Sequence, residues 1–336
     1  MSVTIKDIAK IANVSYSTVS RALNDIPGVK LETRDRIVKI AKEQGYSPNA
    51  IARGLVSKST NMIGLVIPDI TNPYFPEVAR GIEDFASRNK RNVFLCNSNW
   101  ESEKELVYIR ALQEKRVEGL LVAPVEEGTH ERIKNEKLDI PVVYISSMSG
   151  DPGEMFVIVD NIKASYLATE HLIKLGHSNI AFIGGSENSI SNRDRIKGYM
   201  DALKRYSIKM DISMVKSSSY KRESGYAAAL ELVKTKRVPT GLIAANDIIA
   251  LGIIEALEGN SYRVPQDVSV IGFDDIAFAS LPKINLTTVA QPKYEMGLSA
   301  ADILFKKISG TEQGSDNNYQ HILEPQLIIR GTTGPV

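Results

Sequence analysis

Apolar residues at Ile5, Ile8, Ala9 and Ala12 repeat at the three-and-four spacing that lines one face of a helix. Thr4, with Asp7 three residues on, marks a capped start. Asn13-Val14-Ser15 interrupts the rhythm. It resumes at Val19, Ala22 and Leu23 with Ser15 in the capping position, and again over about 32–44, where Ile37, Ile40 and Ala41 share a face and Gly45 ends the run. Between them, "DIPGV" (25–29) is turn chemistry. Three short helices with a tight break between the first two predict a helix-turn-helix. Beyond them, Ser47 caps a further turn, Pro48 takes its first position, and Ile51, Ala52 and Leu55 fall on one face. That segment is about two turns long and holds Gly54, which costs about 1 kcal/mol relative to alanine, so it is marginal alone. A flexible linker is the plain alternative.

From residue 60 the rhythm changes. Apolar runs at 62–68, 92–97, 119–124, 140–146 and 155–161 alternate with helical patterns, the first carrying Phe75, Val78, Ala79, Ile82, Phe85 and Ala86. A second series follows: helix 163–175, run 179–185, helices near 194–205 and 223–235, run 241–247, a helix near 248–257 and run 268–275. Alternation of this kind, twice over, predicts two α/β lobes built on parallel sheets. The fold class is therefore a small all-α helix-turn-helix head and a short further segment, joined to a two-lobed α/β body. In open parallel sheets ligands sit beyond the carboxyl ends of the strands. That rule marks Asp69 to Phe75, Asn97 to Asn99, Ser146 and Ser147, Asp160 and Asn161, Ser186 to Arg195, Asn246 and Asp247, and Asp274 and Asp275 as rim residues.

Composition is that of a globular chain, 336 residues with 43% hydrophobic and 24% charged. The overall charge of +1 hides an asymmetry: residues 1–59 carry a net of +5 and the remainder a net of −4. A basic head on a mildly acidic body points to a polyanionic partner. Cys96 is the only cysteine, so no intrachain disulfide forms, and its apolar run "VFLC" makes it a reduced core residue. There is no apolar run of membrane-spanning length and no signal-peptide pattern at the N-terminus, so a cytoplasmic protein with no membrane partner is expected.

The second helix carries the chemistry of the head. Opposite Val19 and Leu23 stand Tyr16, Ser17, Ser20 and Arg21. Hydroxyls reach phosphates and base edges, and an arginine forks onto guanine in the major groove. An ordinary capped surface helix is the alternative.

Three stretches, "TIKDIAKIANVSYSTVSRALN", "GYSPNAIARGL" and "IGFDD", resemble the LacI/GalR family of bacterial transcription regulators, and the likeness extends over essentially the whole chain. The resemblance implies a sequence-specific repressor that binds a pseudo-palindromic double-stranded operator as a homodimer, and it implies that the short segment after the head is a hinge helix. Candidate DNA contacts on the matching positions are Thr4, Ser15, Tyr16, Ser17, Thr18, Ser20, Arg21 and Asn24 in the head and Asn49, Ala52 and Leu55 in the hinge. Leu55 matches the leucine that wedges into the minor groove and bends the operator, a step that unstacks bases to bring more surface into contact. The body is implied to be periplasmic-binding-protein-like, with a small polar effector between the lobes. Candidate effector residues are Asn72, Tyr74, Phe75, Ser146, Ser191, Arg193, Arg195, Tyr220, Asn246 and Asp274. Carboxylate, guanidinium and aromatic faces together suit a sugar or sugar derivative. The bland readings are that Asp274 caps a segment, Arg195 pairs with Asp194 or Asp201, and Tyr74 and Phe75 are core.

The resemblance also implies domain limits: head 1–46, hinge 47–59, first lobe 60–160 and 288–318, second lobe 161–287 and 319–336. Helices near 75–89 and 293–308 of the first lobe would supply the dimer face. Where many family members have an acidic residue after the strand "PVVYI", this chain has Ser146, which removes one hydroxyl acceptor. Arg193 beside Arg195 could turn the pocket toward a carboxylated or phosphorylated ligand. No heptad repeat follows to suggest a zipper tetramer.

The four histidines lack metal-ligand spacing, and neither a nucleophile elbow nor a phosphate-binding loop is present, so no cofactor and no enzyme is expected, though a sugar-modifying enzyme fused to a DNA-binding head is conceivable. Two other regulators compete: a nucleobase-responsive repressor, and a global carbon-catabolite regulator whose co-effector is a phosphorylated carrier protein. Asp302 on the first-lobe helix disfavours the latter, where a basic residue would suit it better.

Overall fold

The computed structural model describes residues 3–24, 26–46, 60–310 and 319–336. The chain divides into two compact units, Met1–Asn61 and Met62–Val336.

In the first unit, α1 (Ile5–Ala12) begins with the expected reciprocal cap: Thr4 N donates to Asp7 Oδ2 at 2.9 Å, and Asp7 N donates to Thr4 Oγ1. Asn13, in the left-handed region at φ 52°, ends it. Ser15 caps α2 (Tyr16–Leu23) by accepting from Thr18 N. The third helix, α3 (Leu31–Glu43), starts one residue earlier than its pattern suggested. Ile8, Val19 and Ile37, one from each helix, are fully buried and form the small core with Ala9, Ala12 and Ala22. Full burial of each of the three large side chains stabilises by roughly 1.5–3 kcal/mol.

The second unit holds two six-stranded sheets. The first is ordered β11-β5-β4-β3-β1-β2, from β1 (Met62–Ile67), β2 (Asn92–Asn97), β3 (Leu120–Val122), β4 (Val142–Ile145), β5 (Met155–Val159) and β11 (Gln320–Leu323). The second is ordered β12-β10-β9-β8-β6-β7, from β6 (Ile180–Ile183), β7 (Val215–Lys216), β8 (Gly241–Ala244), β9 (Ser269–Asp274), β10 (Thr287–Ala290) and β12 (Gln326–Ile328). All pairings are parallel except β10 with β12. Such sheets need cover on both faces, which explains the unbroken apolar runs.

Helices α4 (Tyr74–Arg88), α5 (Ser102–Glu114), α6 (Gly128–Asn135) and α11 (Lys293–Ser309) belong to the first lobe. Helices α7 (Asn161–Lys174), α8 (Ile190–Arg205), α9 (Arg222–Lys234) and α10 (Asp247–Gly259) belong to the second. The hydrophobic pattern passed over α6, whose buried face is Thr129, His130 and Ile133 with a single aliphatic side chain. The helix α8 begins at Ile190, a turn before the expected 194, because Ser189 accepts from Asn192 N and caps it there. Helices α4 and α11 cross closely: a Cβ on Gly81 would stand 2.2 Å from the Tyr294 carbonyl oxygen.

The chain crosses between lobes three times, and two crossings fall later than the expected limits. The strand β10 pairs with β9 in the second sheet, so the first return comes after residue 290 and not at 288. The segment "HILEPQLIIRGTT" holds two strands in different sheets: Gln320–Leu323 pairs with β5 of the first, and Gln326–Ile328 with β10 of the second. Pro325 between them has no N–H to continue a ladder, so the chain changes sheet there, not at 319.

Candidate functional site

In the head, the reading face stands clear of the core. Tyr16 is 64% exposed, and Ser17 and Arg21 are exposed beside it. Arg21 makes no ion pair among the described residues. Other candidates are engaged locally. Ser15 Oγ lies 2.7 Å from Ser17 Oγ and 2.8 Å from Thr18 Oγ1, Asn24 Nδ2 donates to the Ser20 carbonyl at 2.9 Å, and Thr4 serves its own cap. Asn49, Ala52 and Leu55 lie outside the described residues.

In the body, nine of the ten candidate effector residues, all but Arg193, line one cavity of about 70 Å³ between the lobes. They lie at or follow the carboxyl ends of β1, β4, β6, β7, β8 and β9, as the strand-end rule requires. From the first lobe come Asn72, Tyr74, Phe75 and Ser146. Asn72 Oδ1 accepts from Tyr74 N at 3.1 Å and fixes the start of α4. Tyr74 packs edge-on to Phe75 at 5.0 Å, and its hydroxyl lies 2.6 Å from Ser146 Oγ. Both rings are buried, so they are core and cavity wall at once. From the second lobe, Ser191 Oγ donates to the Ser146 carbonyl at 2.6 Å, a direct bond between lobes.

Arg195 is buried and pairs with neither Asp194 nor Asp201. Its Nε donates to Asn161 Oδ1 at 2.8 Å, Nη1 donates to the Ala245 carbonyl, and the guanidinium lies 3.7 Å from the centre of the Phe273 ring. Asp274 ends β9 at φ 115°, its carboxylate accepting from Gln291 Nε2 at 2.6 Å. Burial pushes its carboxyl up to about 6, against the pull of Arg195 and Lys293. The neighbouring Asp247 carboxyl is raised well above the usual range by burial and by the charge of Asp274, and accepts from Thr288 Oγ1 and Ile276 N. Lys293, buried at the first residue of α11, donates to the Asp274 and Asp275 carbonyls at 2.6 and 2.8 Å. Asn246 caps α10 through Ile249 N at 2.7 Å. Tyr220, at φ 60°, donates to Ser189 Oγ at 2.9 Å.

Arg193 is a correction. It points to the mouth of the cleft and pairs with Glu127 of the first lobe, so it does not make the cavity more cationic. Three lining residues with hydrogen-bonding side chains were missed as candidates. Gln291 follows β10 by one residue and obeys the strand-end rule. Trp100 stands one residue beyond the rim set at Asn97–Asn99, and Ser189 lay in the marked rim but was not chosen. Among the described residues no three His, Cys, Asp or Glu side chains gather as a metal site, and no helix is long and apolar enough to cross a membrane.

A helix-turn-helix head, and a two-lobed parallel-sheet body closing on a polar cavity, define a ligand-responsive DNA-binding regulator. Residues 4–49 match the family described as bacterial regulatory proteins, lacI family. Residues 60–324 match periplasmic binding proteins and sugar binding domain of LacI family. The HTH-type transcriptional regulator RegA of Clostridium saccharobutylicum is 39% identical over 99% of this chain and 100% of its own. Catabolite control protein A of Priestia megaterium is 37% identical over 91% of this chain and 92% of its own. The structure of the Lac repressor dimer bound to operator and the anti-inducer ONPF superposes with a TM-score of 0.88 at 26% identity, over 99% of this chain and 100% of that one. The chain belongs to the LacI family; it is a DNA-binding transcriptional regulator and not an enzyme.

Proposed function

We propose that this regulator is a homodimeric repressor of a sugar-related operon, and that a sugar or sugar derivative bound between the lobes releases it from a pseudo-palindromic operator in the cytoplasm. The observation that carries this reading is the convergence of Asp274, Arg195, Asn246 and Gln291 with the rings of Tyr74 and Tyr220 on one cavity. A carboxylate and amides serve adjacent hydroxyls, a guanidinium donates from a fixed fork, and the aromatic side chains wall the cavity beside the C–H groups of a sugar. Tyr16, Ser17 and Arg21 would read the major groove, with Ser15, Thr18, Ser20, Asn24 and Thr4 holding or touching the backbone. Residues 47–59 would form the hinge helix on DNA, with Leu55 as the wedge and Asn49 and Ala52 beside it. Effector closes the lobes, and hinge order is the two-state element it biases. Exposed Phe94 and Leu95 on the edge strand β2 add apolar area to the dimer face proposed for α4 and α11.

The phosphocarrier reading is weaker, because α11 carries an acid, Asp302, where a phosphorylated partner would favour a cation, and that acid pairs with Lys306 at 2.6 Å. A thermal-shift panel of monosaccharides, sugar phosphates and nucleobases tests the proposal. A monosaccharide should raise the melting temperature and dissociate the selected operator, and Asp274→Ala should keep DNA binding while losing the response. Stabilisation by a nucleobase alone overturns it.

A further inference from the structure

We infer that Trp100 and Tyr220 form an aromatic latch across the cleft that admits a small, non-planar polyhydroxylated effector and rejects a flat base, and that Trp100 Nε1 donates a hydrogen bond to that effector. The inference rests on the cleft being the effector site.

Trp100 is the only tryptophan of the chain and sits in the first lobe, on the loop after β2, at φ 62°. Tyr220 sits in the second lobe, on the loop before α9. Their rings stack at 4.8 Å between centres and 13° between planes, so one aromatic pair bridges the lobes. The opposite face of Tyr220 rests on backbone: a Cβ built on Gly185 would stand 1.9 Å from Tyr220 Cζ and 2.2 and 2.4 Å from the two Cε atoms. Both faces of the phenol are therefore covered, one by indole and one by glycine. A planar heterocycle, which gains its affinity by stacking, could reach Tyr220 only by prising Trp100 away, with the ring centres moving to roughly 7 Å. Tyr220 itself has only its ring edge and its hydroxyl left to offer.

Among the described residues, Trp100 Nε1 is buried and has no acceptor, whereas Tyr220 Oη, Ser191 Oγ and Asn246 Oδ1 are hydrogen-bonded. A buried donor without a partner is destabilising, and nearly all such groups in proteins find one. Because Trp100 lines the cavity that Asp274 and Arg195 also line, an effector oxygen is the acceptor that would complete it. A sugar ring oxygen or hydroxyl supplies this while presenting no plane to stack.

The test uses the full-length chain and its single indole. With D-ribose, D-glucose and hypoxanthine as probes, Trp100 emission and melting temperature are followed together. A saturable change with a monosaccharide and none with hypoxanthine is expected. The single indole N–H resonance of ¹⁵N-labelled wild-type protein should move downfield and exchange more slowly in the same titration. Trp100→Phe keeps a ring in the stack and removes the donor, and should bind the same sugar about tenfold more weakly. Saturable hypoxanthine binding overturns the latch. Sugar binding that leaves the indole N–H unmoved, or that Trp100→Phe leaves within twofold, overturns the donor role while the sugar reading stands. Failure of every monosaccharide to bind wild-type protein that still binds operator removes the sugar reading and this inference with it.

Discussion

Arg193 of the second lobe and Glu127 of the first meet at the mouth of the cleft in a two-point ion pair, Nη1 to Oε2 at 2.6 Å and Nη2 to Oε1 at 3.0 Å. Next to it, Glu127 N donates to the Asn188 carbonyl at 3.0 Å, again between lobes. Both side chains of the pair are about half exposed, at 54% each, so water and salt screen the contact. It biases closure and does not touch what the lobes enclose. Arg193→Ala should change apparent effector affinity by no more than about threefold, and raised salt should mimic the change in wild-type protein. Loss of binding by a hundredfold in titration calorimetry would instead return Arg193 to the pocket.

In the head, two neighbouring residues separate stability from recognition. Ser15 accepts from Thr18 N and caps α2, whereas Arg21 projects from the exposed face of the same helix. Ser15→Ala should destabilise the head by about 1 kcal/mol. Arg21→Ala should leave the melting temperature unchanged and relax base preference at one operator position by about 1–3 kcal/mol. Selection of bound duplexes from a randomised pool, beside thermal melts, distinguishes the two.

These contrasts show where the sequence was legible. The lobes announce themselves because parallel strands buried on both faces read as continuous apolar runs, and the strand-end rule then finds Asn72, Ser146, Asn246 and Asp274 with no other information. Arg193 was legible too, but misread. Arg193 and Arg195 lie two residues apart on α8, roughly 200° around the helix, so both cannot face one cavity. The lobe returns were harder. The run at 287–290 suits either sheet, and only its pairing with β9 settles which. The stack of Trp100 on Tyr220 joins loops 120 residues apart, which no local pattern encodes.

Glu105 gives a pH test that is independent of DNA and effector. It is fully buried on the inner face of α5, where Thr129 Oγ1 donates to it at 2.6 Å and Val125 N at 3.2 Å, and burial pushes its carboxyl up to about 7. A carboxyl raised on folding binds more protons in the native state than in the unfolded one. Its stabilising share is therefore complete below about pH 4.5 and is lost as pH rises through about 7, on the order of 3 kcal/mol in all. Glu105→Gln preserves the shape and carries no charge. It should melt higher than wild type at pH 8 and flatten the decline between pH 5 and 8. An unchanged decline in the variant would assign it to other groups.

Asp274 gives the corresponding test of binding. Its carboxyl, held up to about 6 by burial, is neutral in part of the free protein at mildly acid pH. A polyol that donates hydroxyls to it favours the ionised form, so its carboxyl falls in the complex and binding releases a proton below about pH 6. Affinity should then be level above pH 7 and fall by up to about tenfold per unit below 6. Calorimetry at pH 5 in buffers of different ionisation enthalpy should reveal the released proton. Asp274→Asn, which cannot ionise, should bind more weakly and show the same affinity at pH 5 and pH 7.5. If wild-type affinity is equally flat, the effector makes its polar contacts elsewhere in the cleft, and Arg195 with Asn246 becomes the pair to mutate next.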